Sequence, residues 1–359
     1  MYLVCKCAAI VYLVFCSLVG SAQVGGIASF DFLNLSNNAR LLGVGGVNVS
    51  LYDEDVNQWS NNPALLNSKM AGRLSANVLP YFAGTVLSSA SYAWTAPRSG
   101  TWGVSLQHLS YGEMDRTDQT GNTTGTFKAT DYAFTVGKSA VIEQYALGLN
   151  LRFAGSSMDG FNATALMADI GGLFIHPDRD FKIGLSIRNV GTVLTKYTTD
   201  SEMSLPFQVV AGASVKPQNM PARLSMGVQY LQRYDIVFLD PNKPGRLDAN
   251  GNEIREEKSL TDLIGRHLVL GVELLLSKNF HIRAGYNYLR RRELRLEDRS
   301  GGAGLSIGAF VRAGKFDFGL TRAFYHVAGG TTAITVSVDL HQLGRKKEIQ
   351  TTVPGEVLP

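Results

Sequence analysis

Residues 145–153 read YALGLNLRF and residues 280–288 read FHIRAGYNY. In the first stretch Tyr145, Leu147, Leu149, Leu151 and Phe153 alternate with Ala146, Gly148, Asn150 and Arg152. In the second, Phe280, Ile282, Ala284, Tyr286 and Tyr288 alternate with His281, Arg283, Gly285 and Asn287. A period of two puts all the apolar side chains on one face of an extended strand and the polar ones on the other. The same pattern returns at 181–188 and 334–341 and, with variations, from Leu74 to His341. It predicts about fourteen strands, near 74–82, 85–95, 101–110, 128–138, 144–153, 162–174, 181–189, 206–215, 222–230, 267–276, 280–289, 303–313, 315–322 and 332–340.

The connections add a second regularity. Those at 95–100, 139–143, 175–180, 216–221, 277–279 and Gly314 are tight and follow even-numbered strands. Those at 111–127, 154–161, 190–205, 231–266, 290–302 and 323–331 are longer and follow odd-numbered ones; the first outer connection, near Ala83 and Gly84, is short. Short turns at one end, longer loops at the other and an even strand count characterise barrels of the bacterial outer membrane. Polarity separates this reading from a soluble periplasmic β-sandwich or barrel, whose interior is apolar and whose outer faces carry the charge. Here the faces opposite the apolar ones carry Arg152, Arg188, Arg223, Arg283, Arg312, Asp317 and Asp339 among glycines, as a crowded polar lumen requires. Trp94 and Trp102 flank the 95–100 turn, where an interfacial aromatic girdle belongs.

The chain of 359 residues is 45% hydrophobic and 18% charged, with a net charge of +4, and no run of Lys or Arg exceeds three residues. That composition describes an ordered protein without the electrostatic footprint of a nucleic-acid binder. Residues 1–22 read as a secretory signal, with Lys6, an apolar stretch 8–19 and Gly20-Ser21-Ala22 ahead of Gln23. Cys5, Cys7 and Cys16 all fall inside it, so the mature chain from Gln23 is expected to hold no disulfide; Phe15 is too bulky for the position before a lipidated cysteine. No apolar run of membrane-helix length follows. The expected organisation is a signal peptide at 1–22, a hatch or plug segment at 23–72, a transmembrane barrel at 73–342 and a flexible periplasmic tail at 343–359.

Residues 23–72 lack sustained alternation and start before the first strand, so they either remain in the periplasm or fold into the lumen. The consecutive carboxylates Asp53, Glu54 and Asp55 point to opposite faces of an extended segment, which suits ion pairs with luminal arginines better than a catalytic pair. No enzyme motif is present: there is no Gly-x-Ser-x-Gly elbow, and His108, His176, His267, His281, His326 and His341 show no metal-ligand spacing, which leaves open only a His–Ser–acid arrangement assembled across strands, as a lipid-modifying barrel enzyme would use. Gly43-Val44-Gly45-Gly46 has no following Lys-Ser/Thr and is no phosphate loop. The 240–253 loop, with Asp240, Asn242, Asp248, Asn250 and Asn252, carries enough oxygen to hold a Ca²⁺ ion. Pro244 and Gly251, however, take positions where an EF-hand needs ligands, and turn chemistry accounts for the same composition. No other cofactor is expected.

The N-terminal block has a further signature: Phe30-Asp31-Phe32-Leu33-Asn34-Leu35, Ala39-Arg40-Leu41-Leu42-Gly43-Val44-Gly45-Gly46, Asp53-Glu54-Asp55-Val56 and Asn62-Pro63-Ala64-Leu65-Leu66. Their order and spacing resemble the start of the PorQ-like proteins of the type IX secretion system, relatives of PorV, which are in turn similar to FadL-type outer-membrane barrels with an Asn-Pro-Ala hatch element, here Asn62, Pro63 and Ala64. The resemblance implies a fourteen-stranded barrel with an N-terminal hatch, its termini periplasmic, acting without catalysis as an anchor. It further implies a PorZ-like surface partner in an attachment complex with PorU and PorV that modifies secreted cargo with lipopolysaccharide. The 231–266 loop, with Asp240, Asn242, Asp248, Asn250 and Asn252, is the candidate partner surface. The alternative is a FadL-type transporter of small hydrophobic compounds, with Phe30, Phe32, Leu33 and Leu35 lining an apolar pocket; a general porin is the third reading.

Overall fold

The computed structural model describes residues 28–237, 246–247, 253–254, 258–294, 301–326 and 329–344. The signal-peptide reading and Asp240, Asn242, Asp248, Asn250 and Asn252 lie outside these residues, as does the tail beyond Gly344.

Fourteen strands among the described residues close into one antiparallel barrel. They are β1 (Arg73–Pro80), β2 (Val86–Ala96), β3 (Gly100–Thr117), β4 (Thr123–Ile142), β5 (Tyr145–Met158), β6 (Phe161–Ile175) and β7 (Phe181–Thr195). There follow β8 (Gln208–Val215), β9 (Ala222–Val228), β10 (Leu268–Leu275), β11 (Phe280–Asn287), β12 (Leu305–Ala313), β13 (Phe316–His326) and β14 (Gly329–Asp339). Each strand pairs with its sequence neighbours, and β1 closes on β14 with Arg73 opposite Asp339 and Val78 opposite Ile334. Closure leaves no free sheet edge around the ring.

The alternation sorts side chains as a lipid-embedded wall needs. On β5, Leu151 is 56% exposed while its neighbour Arg152 is 2% exposed. Leu106, Phe134, Ile170, Leu185, Leu270, Ile307 and Leu320 likewise face out, and Gln107, Thr135, Asn150, Asp169, Ser186, Glu273 and Arg283 are buried. Water outside such a surface would be opposed by a continuous apolar belt, and hydrocarbon suits it. No described helix is long and apolar enough to cross a membrane. Tyr92, Trp94 and Trp102 stack along the outer face beside the 97–99 turn, and the Lys138 ammonium lies 5.0 Å above the Trp102 ring.

The wall is uneven. Strands β3 to β7 have 14 to 20 residues, whereas β8 to β12 have 7 to 9. The tall side corrects part of the loop assignment. The 111–127 segment is strand on both sides of a turn at 118–122, and 154–161 is strand apart from Asp159 and Gly160. Asp159 and Gly160 both have positive φ, 49° and 85°, the two-residue turn that matches strand twist. β7 continues to Thr195, and strand flanks residues 327–328. Above the lipid both faces of a strand meet water, so the hydrogen-bond ladder persists after the apolar alternation has ended. Three connections stay long: 196–207, 229–267 with helix α2 (Leu260–Gly265), and 288–304 with helix α3 (Tyr288–Leu294). Helix α1 (Ala39–Gly43) precedes the barrel, α4 (Leu340–Gly344) follows it, and a two-residue ribbon pairs 246–247 with 253–254.

Candidate functional site

Residues 28–72 lie inside the barrel. Their backbone has too little regular structure to satisfy its own polar groups, and side chains take over. Asn38 caps α1 by accepting from the Leu41 amide at 2.8 Å, and Asn48 accepts from the Ser50 and Leu51 amides. Asn62 accepts from the Ala64 amide at 3.0 Å and donates to the Val49 carbonyl at 2.8 Å, with Pro63 opening a single 3₁₀ turn, Pro63–Leu65. This is where the structure places the Asn62-Pro63-Ala64 element: fully buried against β5 and β6, with Ala64 and Leu65 packed on Ala146 and Leu173. Trp59 is also fully buried, its ring in a slot left by Gly103 and Gly137, which face each other across β3 and β4.

Three levels can be distinguished along the lumen. At the end bearing the long connections, Phe30, Phe32 and Leu33 fill an apolar cluster with Leu79, Leu87, Leu109 and Met167, ringed by Tyr81, Tyr111, Tyr197 and Tyr325. At mid-height one ionic knot ties the plug to the wall, and a second, within the wall, hydrogen-bonds the plug backbone. In the first, Arg40 donates to Glu273 Oε1 at 2.8 Å and to Asp53 Oδ2 at 2.6 Å. Arg283 and Arg223 converge on the same Glu273, at 2.9 and 3.1 Å, and Arg223 also reaches Asp53. In the second, Arg152 pairs with Asp169 at 2.9 Å and donates to the Ser60 carbonyl at 3.2 Å, while Asp169 accepts from the Asn189 amide at 2.8 Å. Toward the tight-turn end Glu54 points away from Asp53 and pairs with Arg73 and Arg312, at 2.9 and 2.6 Å.

The acidic run thus pairs with luminal arginines, and its neighbouring carboxylates diverge. For Asp53, burial pushes the carboxyl up, but the Arg40 charge and hydrogen bonds, with Arg223 beside them, hold it well below the usual carboxylate range. Sequence reasoning did not single out Glu273, Asp169 or Asn189. An acid at a lumen-facing position of an otherwise apolar strand, Val272-Glu273-Leu274, is the signal that points to the first. No group of three or more His, Cys, Asp or Glu side chains among the described residues is arranged to hold a metal.

No protein-family model matches the chain, and no curated protein matches it. Among solved structures it is similar to the TodX monoaromatic hydrocarbon channel in its deltaS2 mutant form, with TM-score 0.49 and 11% identity over 85% of this chain and 98% of that one. It is similar to a Pseudomonas aeruginosa FadL homologue with TM-score 0.47 and 12% identity over 85% and 98% of the two chains. The KdgM porin follows with TM-score 0.31 and 4% identity over 74% and 98%. The closed ring of strands and its apolar outer belt stand on the chain's own pairing and burial. The chain is a β-barrel of the outer-membrane type.

Proposed function

We propose that this barrel is a non-enzymatic anchor in the outer membrane of a Gram-negative bacterium, holding a protein partner at the cell surface. The observation that carries this reading is the lumen: residues 28–72 occupy it and are tied to the wall through Glu273, Arg152, Arg223 and Arg312. Breaking one member of a buried ionic knot costs about 3–5 kcal/mol, so a plug held by the Arg40–Glu273 knot favours a rigid body over a conduit. The tight-turn end, where the first and last strands meet, would face the periplasm. The tall β3–β7 wall and the long connections would then stand outside, in a lipopolysaccharide leaflet, and present the docking surface.

On that surface α2 turns Leu260 and Ile264 outward, 69% and 57% exposed, while Asp262 and Arg266 are buried beneath. An apolar pair four residues apart on an exposed helix face suits a protein contact. The N-terminal resemblance names the partner class, a PorZ-like surface protein held with PorU and PorV in the type IX attachment complex. We place the 240–253 loop, with Asp240, Asn242, Asp248, Asn250 and Asn252, on the same proposed surface, its side-chain oxygens available to a Ca²⁺ ion.

A second reading, transport of a small hydrophobic compound, is favoured by the apolar cluster around Phe30, Phe32 and Leu33, which would become a pocket if that segment withdrew. Affinity purification of the tagged barrel from detergent-solubilised outer membrane of its host separates the two. Stoichiometric recovery of a surface protein supports the anchor; a barrel recovered alone with an apolar molecule bound in its lumen overturns it.

A further inference from the structure

Below the plug, toward the tight turns, lies a cavity of about 310 Å³ that neither reading uses. Its walls are ionic. Arg40, Lys69, Arg73, Arg223, Lys278, Arg283 and Arg312 line it, against Asp53, Glu54, Asp55 and Asp317, with Glu273 bonded to the arginines behind. Seven cations thus meet five carboxylates, a surplus of two positive charges.

The surplus has an address. The five arginines are held by carboxylates at 2.6 to 3.1 Å. Lys69, just before β1, and Lys278, in the β10–β11 turn, are exposed at the rim, and no described carboxylate pairs with either. Phe310 also lines the cavity, with His281 stacked on it at 4.9 Å and the Arg283 and Arg312 guanidinium groups 5.2 and 5.7 Å from its ring centre. The Phe310 ring and the carboxylates hold the arginines, and the two flexible ammonium groups are left to close on a guest. The volume is at the lower end of small-molecule pockets, of the order of 300 Å³.

We infer that this cavity binds a multivalent oxyanion, of the phosphate or carboxylate class, entering from the tight-turn end. Lys69 and Lys278 supply the charge that neutralises it, and the paired arginines supply further N–H donors.

The test is calorimetric titration of the purified full-length barrel in uncharged detergent, at fixed ionic strength, with pyrophosphate and separately with citrate. Saturable binding of either probe is expected, weakened about tenfold or more in Lys69→Ala/Lys278→Ala and restored in Lys69→Arg/Lys278→Arg. Both lysines are exposed, so the variants keep the wild-type shift between folded and heat-denatured forms on gels, which verifies folding. Absence of saturable binding for both probes, or equal affinity in the alanine variant, overturns the inference.

Discussion

Arg40 and Glu273, 233 residues apart in the chain, are joined inside the barrel by two hydrogen bonds of 2.8 and 2.9 Å. One residue belongs to the plug helix and the other to the wall, so the contact reports whether the two are assembled. Glu273 also faces Arg223 and Arg283, and its side chain is 1% exposed. Glu273→Ala leaves three guanidinium groups facing a buried void and is expected to destabilise the barrel by about 3–5 kcal/mol. The urea midpoint of the detergent-solubilised protein measures this. Arg116→Ala, which removes an exposed pair between β3 and Asp159 of the β5–β6 turn, is the control and changes the unfolding free energy by less than about 1 kcal/mol. Equal midpoints for the two variants would mean the knot does not hold the plug.

Asp53 sets the pH response of the same knot. Burial raises its pKa and the Arg40 and Arg223 charges lower it further than burial raises it, leaving it well below the ordinary range. A depressed native pKa gives stability that is fully present above the unfolded value, about 4, and is lost as the pH falls through the native one. Protease resistance of residues 28–72 should therefore hold constant from about pH 8 to about pH 5 and fall only in stronger acid. Loosening of the plug near neutral pH would contradict this assignment.

Two adjacent glycines of β6 provide a paired test of plug contact. A Cβ on Gly171 would lie 2.0 Å from Asn62 Oδ1 and 2.9 Å from the Ala64 amide, whereas one on Gly172 meets only Leu147 Cδ2, at 4.0 Å. Gly171→Ala should cost about 1–3 kcal/mol through overpacking, and Gly172→Ala should be near neutral. Thermal unfolding in detergent compares them directly. The reverse order would place the Asn62-Pro63-Ala64 element elsewhere.

How much of this was legible in the sequence depends on which solvent each residue meets. Along β5, hydrocarbon outside and polar side chains inside write an alternation that Leu147, Leu149 and Leu151 display without help. Along the C-terminal half of β3, Glu113, Asp115 and Arg116 are exposed, so the pattern fades and 111–127 reads as loop although the ladder continues. The Asp159-Gly160 turn was readable from its dipeptide, since that pair favours positive φ at both positions. The acidic run at 53–55 announced ion pairs, but not with which arginines. That depends on how deep the plug sits, and nothing local to Asp53 encodes its distance from Glu273.

The outward face of α2 predicts a separable effect. Leu260→Lys/Ile264→Lys replaces two exposed apolar side chains without touching the buried Asp262 and Arg266. Folding should be unchanged, and recovery of the surface partner should drop about tenfold, as expected when apolar anchors are removed from an interface. Undiminished recovery would move the docking site away from this helix.

The measurement that tests the central claim most directly is a staple between plug and wall. A Cβ on Gly319 would lie 3.3 Å from the Ala39 Cβ, close to disulfide geometry, and residues 28–344 contain no cysteine to compete. In host cells carrying Ala39→Cys/Gly319→Cys, the anchor reading predicts that the oxidised barrel retains its surface partner at the level of the reduced one. Loss of the host's uptake of a hydrophobic compound on oxidation, restored by reductant, would contradict it and identify the plug as a moving gate.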